Sequence, residues 1–367
     1  MSVQRTTEIL ETSGASYPLS IAKSKVPGAE AFVKFGYNPA ITTTEEDLWP
    51  TGAGYVFPTA AAQWRIAGGN AADRGYVIKG NAEGADQTVK CDAGGSETIL
   101  LDVNVDFSAA TAVAVGDCVL LDPKGANPEF GYVTDITDAA SGKLVIGGGF
   151  SGGGSCATAR AYSIVDKSNA TGTGAQVVEI YYLTSTFVEK KILVVLNGAT
   201  AVDFAGAGGT ALTDTFRLNE IRVVAVGTST VPVAAIVVQL QASPNTVFGG
   251  ISAGYTLGRD SVFTVPAGKT LYITAVNFSA ATNNDTKIQT ARMTLRATQE
   301  EYSGFRTNGI FHPQAETLIS NGSQNIIFDL PLVLHEGVDL KTSMIGLTGF
   351  TGPGSCVIRG WLERGTH

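Results

Sequence analysis

Histidine is almost missing from this 367-residue sequence: His312, His335 and the final His367 are the whole supply. No GxSxG or HExxH segment accompanies them, so a histidine-based triad or zinc protease site has no sequence support. The four cysteines, Cys91, Cys118, Cys156 and Cys356, show no CxxC or CxH spacing, which argues against a zinc or redox motif. They read as buried free thiols, with one bridge inside residues 75–163 left open. Charged residues make up only 16% of the chain, and no stripe of Lys and Arg interleaves with aromatics, which excludes a nucleic-acid surface. No apolar run has the length of a membrane span. The N-terminal MSVQRTTEILETSG lacks the apolar core of a secretory signal, so the chain is expected to be made in the cytoplasm, with no membrane contact.

What the sequence does have is glycine, 44 residues of it, and 44% hydrophobic residues. With Val, Thr, Ser and Ala throughout, this is the composition of packed sheets joined by tight turns rather than of a disordered chain. The length allows two or three domains. The formal charge of −8 is uneven: residues 75–163 hold 11 acidic and 5 basic side chains, giving −6, whereas residues 261–367 hold 8 of each sign.

Residues 1–40 show little strand periodicity and are read as an extended arm. The stretch NPAITTTEEDLWPTGAGYVFPTAAAQW follows, with Trp49, Tyr55, Phe57 and Trp64. Thr43 or Thr44 ahead of Glu46 and Asp47 predicts one capped helical turn that Pro50 ends. Long helices are otherwise absent; only Ala297–Tyr302 has further helical potential. From Tyr76 the texture changes. TILLDVNVDF alternates, then AVAVGDCVLLDP, FGYVTDI and GKLVIGGGF come at short intervals, predicting a small β-barrel or compact sandwich inserted over 75–163, with GGGFSGGGS at 147–155 as its exit. Residues 41–74 and 164–257 then make a first β-sandwich. In AQVVEIYYL, Val178, Ile180 and Tyr182 fall on one face, and EKKILVVLNG, RLNEIRVVAVG and AAIVVQLQA supply further strands. Residues 258–367 make a C-terminal jelly-roll-like sandwich from SVFTVPAGKTLYITAVNFSA, KIQTARMTLRAT, SQNIIFDLPLVL and SCVIRGWLER. The segments LNEIRVVAVGTSTVPVAAIVVQL and LYITAVNFSAATNNDTKIQTARMTLR share a plan of strand, polar loop and strand. The expected fold is all-β: tandem sandwiches with an inserted domain and an arm.

Each motif that would carry chemistry fails at a named position. PAGKT at 266–270 ends like a phosphate loop, but the required glycine is Phe263 and a strand follows where a helix is needed. Pro266-Ala267-Gly268 is therefore a hairpin turn, with Pro fixing φ and Gly supplying positive φ. Asp102, Asn104 and Asp106 share one strand face and match the start of a calcium loop, but Phe107 and Val113 stand where Gly and Glu are required, and a solvated face is the expectation. Glu179, Glu189, Glu220, Asp203 and Asp214 are candidates for a glycosidase carboxylate pair, and nothing singles two of them out. Tyr181 and Tyr182 point to opposite faces, so one is core. Trp361 beside Arg359 is a packing or subunit-contact residue in preference to a sugar platform.

The run FGYNPAITTTEEDLWPTGAGYVFPTAA, the LNGATAV turn and FTVPAGKTLYITAVNFSA resemble virion structural proteins of tailed bacteriophages, over residues 32–66 and 164–300. FDLPLVLHEGVDLK is similar to late strands of such proteins. The resemblance implies a place in a phage particle and brings no catalytic residues, cofactor or metal with it. The expected role is that of a homo-oligomeric, trimeric capsid decoration protein. Its partners would be other copies of itself and the major capsid or other virion proteins. Trp49, Tyr55, Phe57, Trp64 and Trp361 are the interface candidates, and the acidic 75–163 domain would face outward. A tail or vertex fibre-base protein contacting the host, a glycan-binding module and a β-scaffold glycosidase or lyase are the alternatives.

Overall fold

The computed structural model describes residues 21–22, 26–51, 54–82, 88–109, 111–206, 209–281, 289–298, 310–347 and 349–364, and the regular structure in them is almost wholly strand. Strand β1 (Ala29–Ile41) is followed by the two-residue β2 (Glu46–Asp47) and by β3 (Trp64–Gly68). Six short strands come next: β4 (Val77–Gly80), β5 (Ile99–Leu101), β6 (Cys118–Leu121), β7 (Glu129–Asp135), β8 (Lys143–Ile146) and β9 (Tyr162–Val165). The next group is β10 (Ala175–Leu183), β11 (Glu189–Val195), β12 (Val202–Asp203), β13 (Arg217–Val226), β14 (Ile236–Leu240) and β15 (Val247–Ile251). The last is β16 (Phe263–Thr264), β17 (Lys269–Ala280), β18 (Thr290–Thr298), β19 (Phe311–Ile319), β20 (Gly322–Leu334), β21 (Asp339–Leu347) and β22 (Gly352–Arg364).

These strands belong to two compact units. Unit 1 takes the described residues of Met1–Thr59, Thr186–Val188 and Arg259–His367, and unit 2 those of Ala60–Ser185 and Glu189–Gly258. Unit 1 is a sandwich of two antiparallel sheets, ordered β1-β22-β17-β20 and β16-β21-β18-β19, with β2 added on β21. Ile273, Val276, Phe278 and Ile358 of the first sheet meet Met293, Leu295, Leu340 and Met344 of the second in one core. Burying each such side chain contributes about 1.5–3 kcal/mol.

The expected arm over 1–40 needs correction. Residues 1–20 lie outside the described residues, and Ala29–Ile41 is an integral strand, paired with β22 from Ala29↔Glu363 to Ile41↔Gly352. Its inward positions are Phe32, Lys34, Gly36 and Asn38, two of them polar, so the alternation is hidden in the sequence. Lys34 is compensated by Asp260 at 3.0 Å, and Asn38 donates to Glu46 Oε2 at 3.0 Å. Gly36 is required because a Cβ there would come within 2.5 Å of Ser261 Cβ. Residues 41–57 likewise belong with the C-terminal sandwich rather than with the first one. No helical turn forms at Thr43–Asp47. Thr42 Oγ1 donates to Glu46 Oε1 at 3.1 Å, and Glu46–Asp47 pairs with Met344 and Ser343 as a strand. Of Ala297–Tyr302, Ala297 and Thr298 end β18 and the rest lies outside the described residues.

Unit 2 holds a second sandwich, sheets β11-β10-β13 and β12-β3-β14-β15, closed around Trp64, Ile66, Val178, Ile180, Tyr182, Ile221 and Val238. Val178, Ile180 and Tyr182 do share the core face. The six short strands form a single open sheet, β4-β9-β6-β7-β8-β5, with β4 and β5 as edges, so no barrel closes there. Its first core gathers Leu100, Phe107, Val119, Leu144 and Tyr162. A second packs Cys118, Leu120 and Val165 against Val177, Leu193, Val195 and Val224 of the sandwich, so β10 is buried on both faces. The predicted TILLDVNVDF strand stops at Leu101. Asp102 is buried and accepts Tyr162 Oη–H at 2.8 Å, whereas Asp106 turns back to accept Ser108 N–H at 2.8 Å, so the three oxygen side chains share no strand face.

The two echoing segments correspond to β13–β14 and β17–β18, and in both the chain crosses from one sheet to the facing one. Pro266–Gly268 is a tight turn, with Gly268 at φ +70° and Lys269 N–H donating to Pro266 O, but it too passes between sheets instead of closing a hairpin.

Asp73, fully buried just before the inserted sheet, accepts the backbone N–H groups of Ala175, Val233 and Ala234, each at 2.9 Å. Its own backbone carbonyl accepts Gly198 N–H at 2.9 Å. Asp73→Ala strands three buried donors and should lower the unfolding free energy of the chain by roughly 3 kcal/mol or more. Asp73→Asn, which keeps one acceptor oxygen, should lose about half as much. Urea denaturation measures both, and a loss below about 1 kcal/mol for the alanine variant would contradict the account.

Candidate functional site

All five aromatic interface candidates are buried within the chain, between 0 and 8% exposed, so none is offered to a neighbour in this fold. Trp49, Tyr55 and Phe57 form a run of edge-on ring contacts at 5.1 and 4.9 Å, and Phe57 stacks on Phe311 of β19 at 5.4 Å. Trp64 is the centre of the unit 2 sandwich, stacked on Phe248 at 4.5 Å. Trp361 stacks on Tyr272 at 5.2 Å, under Ile21 and Val26. Each supplies packing area and ring contacts to its own unit.

Two carboxylates fasten the 42–57 segment to unit 1. Glu45 accepts Ser343 Oγ–H at 2.6 Å and pairs with Arg296. Asp47 accepts Tyr55 N–H at 2.5 Å and Lys341 Nζ at 2.9 Å, and Lys341 also lies 4.8 Å from the Phe311 ring centre. Burial opposes ionisation of Glu45, but the Ser343 hydroxyl and the Arg296 guanidinium outweigh it and hold the carboxyl below its ordinary range. For Asp47 burial wins over the Lys341 charge, and its carboxyl is pushed up.

Among the proposed acidic pairs, Glu179 is fully buried and engaged by Arg222, whose Nε donates to Oε2 at 2.6 Å, and by Lys191 at 3.5 Å. Tyr181 sits beside them, its hydroxyl 3.2 Å from Arg222 Nη2, and burial together with the Glu179 charge pushes that phenol up to about 12. Glu220 pairs across from Tyr181 and shares this face. Asp203 and Asp214 are exposed, and Asp214 is occupied by Ser185 N–H at 2.9 Å. Glu179 is thus a neutralised structural ion. Among the described residues no group of three or more His, Cys, Asp or Glu gathers as a metal site, and no helix is long and apolar enough to cross a membrane.

Two surface features remain. A cavity of about 590 Å³ in unit 2 is lined by Arg74, Tyr76, Lys124, Asn197 and Asp203 among others, with the Arg74 guanidinium 4.6 Å from the Tyr76 ring centre. In unit 1, β19 and β20 each lie at one end of a sheet among the described residues and expose Leu318, Ile327, Leu330 and Val333. On β20, Ile327 pairs with Ala275 and Leu332 with Ile273, so Phe328–Pro331 leave the ladder as a bulge with Leu330 84% exposed. Pro331 has no N–H to offer, and the sequence signal for this edge was that proline inside an apolar run.

No known protein family matches the chain, and no curated protein does. Among solved structures, it was aligned with a chain of the T=1 particles derived from infectious bursal virus, 10% identical, covering 97% of this chain and 74% of that one, with a TM-score of 0.13. Likeness at that level carries no argument about fold or function.

Lys341→Ala leaves Asp47 buried without its cation and should destabilise the chain by about 3–5 kcal/mol, read by chemical denaturation with tryptophan fluorescence. The acid response follows from Glu45. Its folded-state value lies below the ordinary 4.5, so its contribution is present above that pH and is lost as pH falls through the lowered value. Glu45→Gln should therefore flatten the fall in stability below about pH 4.5, in a thermal-melt series against pH. An unchanged acid limb would remove Glu45 from the account.

Proposed function

We propose that this chain is a structural component of a bacteriophage particle, a capsid decoration protein that acts through contacts with its own copies, as a trimer, and with the shell. The observation that carries the proposal is the strand order of unit 1. Counted as eight successive strands (β1, then β16 to β22), its sheets run first-eighth-third-sixth and second-seventh-fourth-fifth. That order supports reading unit 1 as a jelly roll, an architecture common to viral coat and lectin domains. The β19 and β20 edges, which no other strand of the described residues covers and which carry exposed apolar side chains, support a self-association surface, since monomeric proteins rarely leave such edges uncovered. The resemblance of the 32–66 and 164–300 segments to phage virion proteins points the same way. The absence of a recognisable catalytic motif in the sequence favours structural duty over an enzyme.

The same architecture supports a glycan-binding module, or a fibre-base protein touching the host, and the Arg74–Tyr76 crevice favours that second reading. Mass spectrometry of purified particles, with labelled imaging on head or tail, tests the proposal. Light scattering of the purified chain should give three times 38.0 kDa. Leu330→Asp with Ile327→Asp should shift that species to monomer while the β-rich circular dichroism spectrum is retained. Absence of the chain from particles, together with binding to host polysaccharide, would replace this reading by the glycan-binding one.

A further inference from the structure

The contact between Lys341 and Asp47 differs from the surface ion pairs of the chain in being shut off from water. The side chains of Asp47 and Lys341 are 3% and 16% exposed, against 52% and 39% for Asp138 and Lys143. Neighbouring strands hold the two: Asp47 of β2 lies opposite Ser343, and Lys341 is two residues back along the same β21. Lys341 Nζ lies 2.9 Å from Asp47 Oδ2, 3.5 Å from Tyr55 O and 4.8 Å from the centre of the Phe311 ring, on which Phe57 stacks. Tyr55 N–H donates to the same Oδ2 at 2.5 Å, and the Tyr55 ring packs edge-on against Trp49 and Phe57. An amine and a carboxyl group are thus held in contact, inside an aromatic enclosure, by two paired strands.

We propose that Lys341 and Asp47 condense to an isopeptide bond, a covalent tie between β21 and the 42–57 segment that forms in the folded chain with no other reactant. In water such a pair reacts poorly, because an ammonium has no lone pair and a carboxylate is a weak electrophile. Enclosure changes the balance: charge is costly there, so a proton passes from the Lys341 ammonium to the Asp47 carboxylate and leaves an amine beside a carboxylic acid. Burial, aided by the Glu45 charge, pushes the Asp47 carboxyl up in spite of Lys341. The Lys341 nitrogen then attacks Asp47 Cγ and the C–N bond forms. Tyr55 N–H, already on Oδ2, stabilises the negative charge that develops on that oxygen in the tetrahedral intermediate. The Cγ–Oδ1 bond breaks, and the hydroxyl leaves with a proton from the nitrogen as water. One ammonium and one carboxylate give one amide and one water, with net charge unchanged. Groups held in such contact react as if at about 100,000 M or more, and exclusion of water slows the reverse step.

Other lysine pairs are less suited. Lys34 Nζ lies 3.0 Å from Asp260 Oδ1 and is also enclosed, but that oxygen accepts no hydrogen bond among the described residues, so nothing there would take up the developing charge. Lys191 stands 3.5 Å from Glu179, and the pairs of Lys143 with Asp138 and Lys269 with Glu30 are open to water on the carboxylate side. This inference does not rest on the particle reading.

The test uses the full chain, purified folded at neutral pH, then denatured and weighed by mass spectrometry, digested and mapped. The expected intact mass is one water below that of the sequence, allowing for removal of the initiator Met, and the map should hold a branched peptide joining Asp47 to Lys341. Lys341→Arg, which keeps the cation but has no condensing amine, should have the full sequence mass. Asp47→Asn should end as the same branched product as the wild type, since ammonia leaves in place of water. A folded wild-type chain of full sequence mass would overturn the proposal. So would a missing water that maps to a cyclised Asp or to a link between Lys34 and Asp260. The wild-type measurement stands even if the variants fail to fold.

Discussion

The carboxylate of Asp73 accepts backbone N–H groups from two separate segments, the start of β10 and the loop ahead of β14, while its own carbonyl takes a third segment at Gly198. A buried carboxylate is costly unless its lone pairs are filled, and here backbone donors fill them, with no counter-ion among the described residues. Neighbouring sequence choices follow from it. Gly174 has no side chain because a Cβ would come within 2.2 Å of Asp73 Oδ1, and Gly68 sits against the Asp73 Cβ on the other side. Because the inserted sheet leaves the sandwich a few residues later, at Val77, and returns at Val165, this one side chain fixes the point from which it departs.

The strands of the two sandwiches were legible where one face is apolar and the other polar, as in β13 and β17, and where apolar residues run without a break, as in β10. The class of fold followed from them. Strand β1 was not legible, because it buries Lys34 and Asn38 and exposes Val33 and Phe35, the reverse of the pattern a half-buried strand is expected to show. The pairing that rescues it, with Asp260 and Glu46, is tertiary and leaves no local trace. The placing of residues 29–57 was illegible for the same reason: β1 pairs with β22 at the far end of the sequence.

The candidate site was less legible than the fold. Large aromatics are common in cores and at interfaces alike, and sequence cannot tell which partner covers them. Trp49 to Phe57 are covered by rings and by the Asp47–Lys341 pair of their own unit. On β19 and β20, by contrast, Leu318, Ile327, Leu330 and Val333 are exposed, as ordinary Leu, Ile and Val residues in an otherwise conventional strand run. The glycines at 147–155 read as a linker. One of them, Gly154, instead allows the backbone to pass against Glu129, where a Cβ would overlap the carboxylate that holds Arg160.

The topology nests three segments in sequence: β4 to β9 lie between β3 and β10, and all of unit 2 lies between β2 and β16. Synthesis from the N-terminus therefore leaves β1 without its partner until residues 352–364 have been made. Every strand of the inner sheet and its sandwich precedes β16 in the sequence, so unit 2 needs no strand of unit 1 to complete its pairing, whereas closing β1 on β22 spans nearly the whole described chain. Whatever surface unit 1 presents to other molecules comes into being only as the last strand arrives.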